Sequence, residues 1–202
     1  MTKGSSYHHG DLRNALIMSA VEVIEERGDP EFSISEAARR AGVSAAAPYR
    51  HFRDREALLE AVTELCFIGL GEKAEQARAE WPEGSRESIL ALGKAYLSYV
   101  SSRPAFYSLM WSEETTDKKR DKENAERPGF STFLGAVEAW CDKQALTSTD
   151  PLDLALKLWA MAHGLSVLTI GGQLEAFMPG ADVMDMLDTS TNAFLDGVEG
   201  GA

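Results

Sequence analysis

Apolar residues recur every three or four positions along most of this sequence, which is the spacing of one face of an α-helix. The first such stripe follows Asp11 and stops at Gly28-Asp29-Pro30, where a helix would end. Its members are Leu12, Leu16, Ala20 and Val23. No stretch alternates apolar and polar residues for long enough to predict a β-strand. The pattern therefore predicts an all-α chain.

Two short helices, separated by a turn that contains glycine, are predicted after the first helix. Ser33-Ile34-Ser35-Glu36 is a capping-box sequence that opens one of them. Gly42 supplies the positive φ that a tight turn needs, and Ser44 is expected to cap a third helix that extends to about His51. Two short helices joined in this way, with a long helix before and after, form a helix-turn-helix, whose second helix enters the major groove of DNA.

The rest of the chain is also predicted to be helical. A longer fourth helix begins at Asp54, which caps it. Further helices are expected over residues 84–102, 104–113, 127–145, 151–175 and 181–197, which makes about nine in all. The charged segment 113–127 is expected to be an exposed loop. The predicted architecture is an N-terminal three-helix helix-turn-helix domain, residues 8–56, joined to a C-terminal helical domain, residues 57–202.

The charge of the chain changes how this motif is interpreted. With 20 basic and 32 acidic side chains, the formal net charge is −12, which argues against binding to phosphates. Residues 1–60, however, carry a net charge of only −2, and residues 61–202 carry −10. Within Ser33–Arg55, five arginines face two acids, a local charge of +3. The acidic total is therefore a property of the C-terminal part, and the helix-turn-helix is locally basic.

Several other classes of protein are disfavoured by the composition. No run approaches the roughly 20 apolar residues of a bilayer crossing, and the N-terminus lacks a signal-peptide pattern. Cys66 and Cys141 are far apart and have no metal or redox spacing, so a reduced cytoplasm is expected. His8-His9 has no neighbours that complete a metal site, and with Lys3 it forms either an arm that touches DNA or a disordered terminus. We expect no metal and no other cofactor.

Three motifs in the N-terminal part stand at a specific spacing. They are Ser33-Ile34-Ser35-Glu36-Ala37-Ala38-Arg39-Arg40-Ala41-Gly42-Val43-Ser44, Tyr49-Arg50-His51-Phe52 and Arg55-Glu56-Ala57-Leu58-Leu59. Together they closely resemble the TetR/AcrR family of bacterial transcriptional regulators over about residues 8–65. Tyr7–Arg13, and Trp159 with His163-Gly164, are similar to a subgroup whose C-terminal domain carries a Trp-x-x-x-His-Gly signature. The resemblance implies a homodimer whose helical body binds a small molecule and thereby releases double-stranded DNA.

The resemblance also implies which residues meet DNA. The implied contacts are Ser33, Tyr49, His51 and Arg55 to phosphates, and Ser44, Ala45, Ala46 and Arg50 to bases or backbone. Arg55 stands where the family usually has a lysine.

Two features of this segment depart from the family pattern. Ala45-Ala46-Ala47 offers bases only methyl contact with thymine, and Pro48 removes a backbone hydrogen bond early in the reading helix. We therefore expect sequence preference to come from Arg50, thymine methyl contacts and DNA shape.

His163 is the most informative residue of the C-terminal part. It lies on an apolar stripe that runs Leu152, Leu156, Trp159, His163, Val167, Ile170 and Leu174. It is either a buried, hydrogen-bonded histidine or a group that meets the polar part of a ligand, and Gly164 beside it suggests the close approach of a helix or a ligand. The body's aromatic residues suit an apolar pocket or a plain core. The candidate effector-binding residues are Tyr99, Phe106, Met110, Trp111, Phe133, Trp159 and His163.

The last two helices carry apolar stripes that fit either an intramolecular pair or a four-helix interface with a second copy. The function predicted on these grounds is a ligand-responsive repressor with no catalytic residue, binding a palindromic operator as a homodimer. Its effector is expected to be small and largely apolar. One alternative is a DNA-binding regulator controlled by a protein partner. Another is a helical enzyme that uses His163, although the sequence lacks a nucleophile motif, a metal set and a phosphate loop.

Overall fold

The computed structural model describes residues 9–111 and 128–201, and within these ranges all regular secondary structure is helical, as the sequence predicts. The nine α-helices of the described residues are α1 (His9–Arg27), α2 (Ile34–Arg40), α3 (Arg55–Ala79), α4 (Arg86–Ser101), α5 (Pro104–Met110), α6 (Pro128–Lys143), α7 (Pro151–Ile170), α8 (Gln173–Phe177) and α9 (Val183–Gly200). A short 3-10 helix, Pro48–Arg50, lies between α2 and α3. The helix expected over residues 151–175 is divided, because Gly172 adopts a φ of +73° between α7 and α8. The expected loop 113–127 lies wholly outside the described residues.

The described chain forms two compact units that divide within α3, after Cys66. The first contains α1, α2, the 3-10 helix, the start of α3 and α5. The second contains the rest of α3, α4 and α6 to α9. The sequence places the domain boundary after residue 56, near the start of α3 and before this division. That boundary stays a prediction.

In the first unit, α2 packs on α1 through small side chains. Ala37 and Ala38 are fully buried together with Leu16 and Ala20 of α1, as the small-residue pattern requires for a close crossing. The capping sequence behaves as predicted at its first residue, since Ser33 Oγ accepts a hydrogen bond from the Glu36 N–H at 3.2 Å. The Glu36 carboxylate does not complete the capping box but forms an ion pair with Arg27 at the end of α1.

The predicted third helix is wrong in type. Residues 44–52 form a succession of tight turns, in which the N–H groups of Ala47, Arg50 and His51 each donate to the carbonyl three residues before. Pro48 has no N–H to donate to the carbonyl of Ser44, so an α-helix through this segment would lack that bond. Pro48–Arg50 instead adopts 3-10 geometry, whose hydrogen bonds span three residues.

The core of the second unit is built from α4, α6, α7 and α9. Trp140 of α6 is completely buried and packs in one cluster with Ile89 of α4, Leu154 and Leu158 of α7 and Leu195 of α9. The chain enters this core through a turn in which Gly84 adopts a φ of +66°, and a Cβ there would lie 2.7 Å from the Ala139 carbonyl oxygen. Only glycine satisfies both conditions.

Helix α7 is apolar on two faces, and the stripe selected from the sequence is not the one that is most deeply buried. The buried face consists of Leu154, Ala155, Leu158, Ala162 and Ser166. On the other face, Leu152 and Leu156 are each 45% exposed and Val167 is 43% exposed. By length and composition alone α7 would suffice to cross a membrane, so the expectation that no run approaches this limit was wrong. Its packing in the core, with only part of its surface buried, shows instead a core helix with an uncovered apolar side.

Candidate nucleic-acid interface and effector site

The reading segment exposes most of the residues that the sequence assigns to it. Ser44, Ala45, Ala46 and Arg50 are exposed, and the Tyr49 side chain is 57% exposed. Pro48 is buried and anchors the 3-10 helix on the rest of the first unit. The segment therefore presents a hydroxyl, two methyl groups, a phenol and a guanidinium to solvent, held in place by one buried ring.

Ser33 and Arg55, the first and last of the predicted DNA contacts, make hydrogen bonds within the chain. Ser33 is exposed and its hydroxyl caps α2, while His51 is half-buried. Arg55 is 27% exposed, and its guanidinium donates hydrogen bonds to the carbonyl oxygens of Pro30 and Phe32, both at 2.8 Å. These hydrogen bonds occupy one edge of the Arg55 guanidinium within the chain, and nothing in the structure tests the phosphate contact that the resemblance implies.

Several arginines of the basic segment are paired with acids. Arg40 binds Glu22 and Glu26 of α1, and Arg53 binds Asp54 at 2.6 Å. The hydrogen bonds from Arg40 hold the pKa of Glu26 below its ordinary value. Arg50, in contrast, forms no ion pair with any residue in the described ranges. The local charge of +3 thus overstates what DNA would meet, and Arg50 is the guanidinium of the reading segment that stays available.

The sequence offers a signal for the Arg40 contacts that a charge count misses. Glu22 and Glu26 are four residues apart and so lie on one face of α1. With α2 packed across α1, a carboxylate pair on that face is placed to receive a basic residue from the end of α2.

The seven candidate effector residues are distributed over both units. Phe106 and Met110 are buried in α5, which Trp111 follows, and all three belong to the first unit. In the second unit, Phe133 packs against the core, and the Tyr99 hydroxyl lies against Gly69, whose Cβ would be 2.7 Å away. Trp159 and His163 are the two that the described ring contacts bring together, with ring centroids 4.9 Å apart.

Two further members of this aromatic group, Phe130 and Tyr96, are not among the seven candidate effector residues, although the sequence placed Tyr96 among the aromatics that suit an apolar pocket. Phe130 of α6 meets Trp159 edge to face at 6.4 Å, and the Tyr96 hydroxyl of α4 lies 2.8 Å from His163 Nδ1, within hydrogen-bond distance. These partners come from other helices, so the spacing along α7 carries no signal for them. Gly164 has no described atom within 4 Å of the position its Cβ would take, so no helix of the described chain makes the close approach that its presence suggested.

Burial gives His163 a pH-dependent role in stability. It lowers the pKa of His163 below the ordinary value of 6.5, because the charged imidazolium loses its hydration. The unfolded chain therefore binds a proton more readily than the folded one, and the free energy of unfolding falls as the pH drops below 6.5.

We expect His163→Gln to make the free energy of unfolding less dependent on pH between 6.5 and 4.5. The window ends at 4.5, the ordinary pKa of Glu75, because the hydrogen bond from Thr132 lowers the pKa of Glu75 in the folded chain and this carboxylate adds its own pH dependence below that value. Glutamine does not titrate but keeps a polar group near Tyr96. Urea unfolding at a series of pH values measures the slope. Identical slopes for the variant and the natural chain would contradict this assignment.

Comparison with known proteins gives one consistent result. The family model described as "Bacterial regulatory proteins, tetR family" matches residues 16–62, and the model described as "Tetracyclin repressor-like, C-terminal domain" matches residues 89–194. The HTH-type transcriptional regulator BetI of Escherichia coli is 28% identical, over 76% of this chain and 89% of its own. BetI 1 of Chromohalobacter salexigens is 34% identical over a match that covers 40% of each chain.

Solved structures extend the similarity over nearly the whole chain. A protein of unknown function from Rhodococcus sp. RHA1 is 31% identical, with a TM-score of 0.81 over 96% of this chain and 98% of its own. The transcriptional regulator FadR from Bacillus subtilis, solved in complex with stearoyl-CoA, has a TM-score of 0.59 at 17% identity, over 89% of this chain and 95% of its own. The second likeness is one of fold. None of these matches distinguishes the Trp-x-x-x-His-Gly subgroup, which stays a prediction.

Proposed function

Because the chain belongs to the TetR family of bacterial regulatory proteins, we propose that it is a ligand-responsive repressor that binds a palindromic operator as a homodimer. Membership makes it a transcriptional regulator with a DNA-binding helix-turn-helix. The observation that carries the finer proposal is the exposed reading segment, in which Arg50 remains unpaired among the described residues. The assignment to the cytoplasm follows from the same proposal.

The reading segment supports a division of roles between its residues. Tyr49 extends a phenol into solvent, where it suits a phosphate oxygen, and Arg50 carries the fork of donors that suits guanine O6 and N7. Ala45 and Ala46 offer methyl groups, which suit the thymine methyl group. Direct reading of bases then rests on few groups, and we expect DNA deformability to supply the remaining preference.

Selection of bound duplexes from a random DNA pool tests the proposal. A homodimer that presents two reading segments should enrich a two-fold symmetric sequence whose half-sites lie about 34–36 Å apart, one helical turn. Enrichment of an asymmetric single site would contradict the dimeric mode of binding. No enrichment at all would contradict specific operator binding.

Replacing Arg50 by alanine should relax sequence preference. One bidentate contact to a base contributes roughly 1–3 kcal/mol of discrimination, so the ratio of operator to random-duplex affinity should fall about tenfold or more. Fluorescence anisotropy with the selected duplex and a scrambled duplex measures this ratio. Arg53→Ala is the matched control, because it removes the same charge from an exposed side chain that is paired with Asp54. An unchanged ratio for Arg50→Ala would refute its role as the reader.

The uncovered side of α7 supports a homodimer through the two C-terminal helices. Leu156, Val167 and Leu168 are 40–45% exposed, and the space beside Gly164 is open among the described atoms. An apolar face next to a glycine admits the close approach of another helix. We propose that α7 and α9 of a second copy cover it, and that the two helix pairs form a four-helix interface.

The effector is proposed to be small and largely apolar, and to meet the second unit near Trp159 and His163. The stearoyl-CoA bound to FadR supports an effector with a long apolar part. Thermal shift against fatty acids and acyl-CoA esters separates this proposal from control by a protein partner, because a specific ligand raises the melting temperature by mass action.

A further inference from the structure

The loop between α1 and α2 has three consecutive carbonyl groups that are all held by arginines. Arg55 donates from Nε to the Phe32 oxygen and from one terminal nitrogen to the Pro30 oxygen, both at 2.8 Å. Arg27 donates to the Glu31 oxygen between them, at 2.7 Å. Two arginines, one at the end of α1 and one at the start of α3, therefore fix every carbonyl of the tripeptide that precedes Ser33.

The geometry of a guanidinium limits what else Arg55 can bind. Nε and the neighbouring terminal nitrogen form the side edge of the fork, which is an edge that grips a phosphate with two parallel hydrogen bonds. Here that edge is occupied by two carbonyl oxygens. The guanidinium also lies 5.4 Å from the centre of the Phe32 ring, and its remaining terminal nitrogen is 3.9 Å from a carboxylate oxygen of Glu56.

What the two arginines fix is the start of α2. Ser33 directly follows the pinned tripeptide, and its hydroxyl caps the helix through the Glu36 N–H. Glu36 in turn pairs with Arg27, the same arginine that holds the Glu31 carbonyl. The clamp thus joins the end of α1, the cap of α2 and the start of α3 around one loop.

We propose that Arg55 is a positioning residue for DNA binding, not a phosphate ligand. It holds Pro30 and Phe32, together with Arg27 at Glu31, and thereby fixes where α2 presents its first turn. The inference rests on the proposed use of this unit to bind DNA. It assigns to Arg55 a role that a lysine at the same position could not fill, because one ammonium cannot make both hydrogen bonds in this planar geometry.

The salt dependence of DNA binding distinguishes the two roles. A phosphate ligand releases counterions, so its loss makes the slope of log affinity against log salt shallower by about 0.9. Lysine in its place would keep the slope and most of the affinity. A positioning residue contributes no such slope. Arg55→Ala would remove both of its hydrogen bonds to the loop, and Arg55→Lys could keep at most one.

The experiment measures the affinity of the natural chain, Arg55→Lys, Arg55→Ala and the control Arg53→Ala for the selected operator duplex at a series of salt concentrations. We expect both Arg55 variants to bind about tenfold more weakly, the loss of one to two charged hydrogen bonds, with slopes equal to that of Arg53→Ala. Natural affinity for Arg55→Lys, or a slope for Arg55→Ala that is shallower by about 0.9 than that of the control, would overturn the proposal.

A second measurement does not depend on how well the variants fold. In the natural chain, the Arg55 Nε–H should be protected from solvent exchange both in the free protein and in its DNA complex, as followed by nuclear magnetic resonance. Protection that appears only with DNA would overturn the proposal. If the natural chain does not bind DNA at all, the proposed function is wrong. That outcome is distinct from the one that overturns the role of Arg55, in which Arg55→Lys binds DNA as tightly as the natural chain.

Discussion

Replacing Ala160 by glutamate is expected to convert the protein to a monomer and to lower operator affinity by about 10² to 10⁴-fold. Ala160 is exposed on the uncovered side of α7, one turn from Leu156 and one turn from Gly164. A carboxylate placed there would be buried against its own copy across a two-fold axis, without a partner. Once the two reading segments are no longer linked, each half-site binds alone and the advantage of linkage is lost.

Sedimentation at low protein concentration and anisotropy with the selected duplex measure the two effects. Ala79→Glu at the exposed end of α3 is the matched control, since it adds the same charge outside the proposed interface. A dimeric Ala160→Glu variant would show that a second copy does not cover this face. A monomer with natural operator affinity would show that dimerisation is not what gives the operator its affinity.

Replacing Trp140 by alanine should lower the free energy of unfolding by about 3–5 kcal/mol. The indole is completely buried among residues of α4, α6, α7 and α9, so its removal leaves a cavity shared by all four helices. Since whole domains are stable by only about 5–15 kcal/mol, this loss is a large fraction of the total stability. Urea unfolding followed by circular dichroism measures the loss.

Trp140→Phe is the graded control for this effect. The Trp140 indole N–H has no hydrogen-bond acceptor among the described residues, so phenylalanine loses volume but no hydrogen bond. Its cost should therefore be clearly smaller than that of alanine. Equal costs for the two variants would mean that the cavity is not the cause.

The sequence predicts local features of the first unit well because each depends on neighbouring residues. Ser33 caps α2, Gly42 adopts a φ of +71°, and Asp54 accepts the Ala57 N–H at 2.8 Å at the start of α3. All three follow from the preference of a residue type for a helix end or a turn. The family spacing adds the helix-turn-helix, which the family model confirms.

What the sequence could not supply are contacts between residues that are distant in the chain. Arg55 binds carbonyls more than twenty residues earlier, and His163 faces Tyr96 of another helix. The apolar stripe on α7 was correctly identified as apolar, but periodicity does not decide which of two apolar faces meets the core. That depends on which helices pack against α7, and so on the tertiary fold.

The 3-10 geometry of the reading segment also determines how its specificity can be altered. Side chains three residues apart are aligned in a 3-10 helix, whereas in an α-helix they differ by about 60° in direction. Ala47, which caps the 3-10 helix, and Arg50, which ends it, therefore point along nearly one line. Reading residues grafted from a regulator with an α-helical segment would arrive rotated, so a swap that aligns sequences residue by residue would misdirect them. Redesign of this segment has to follow a repeat of three.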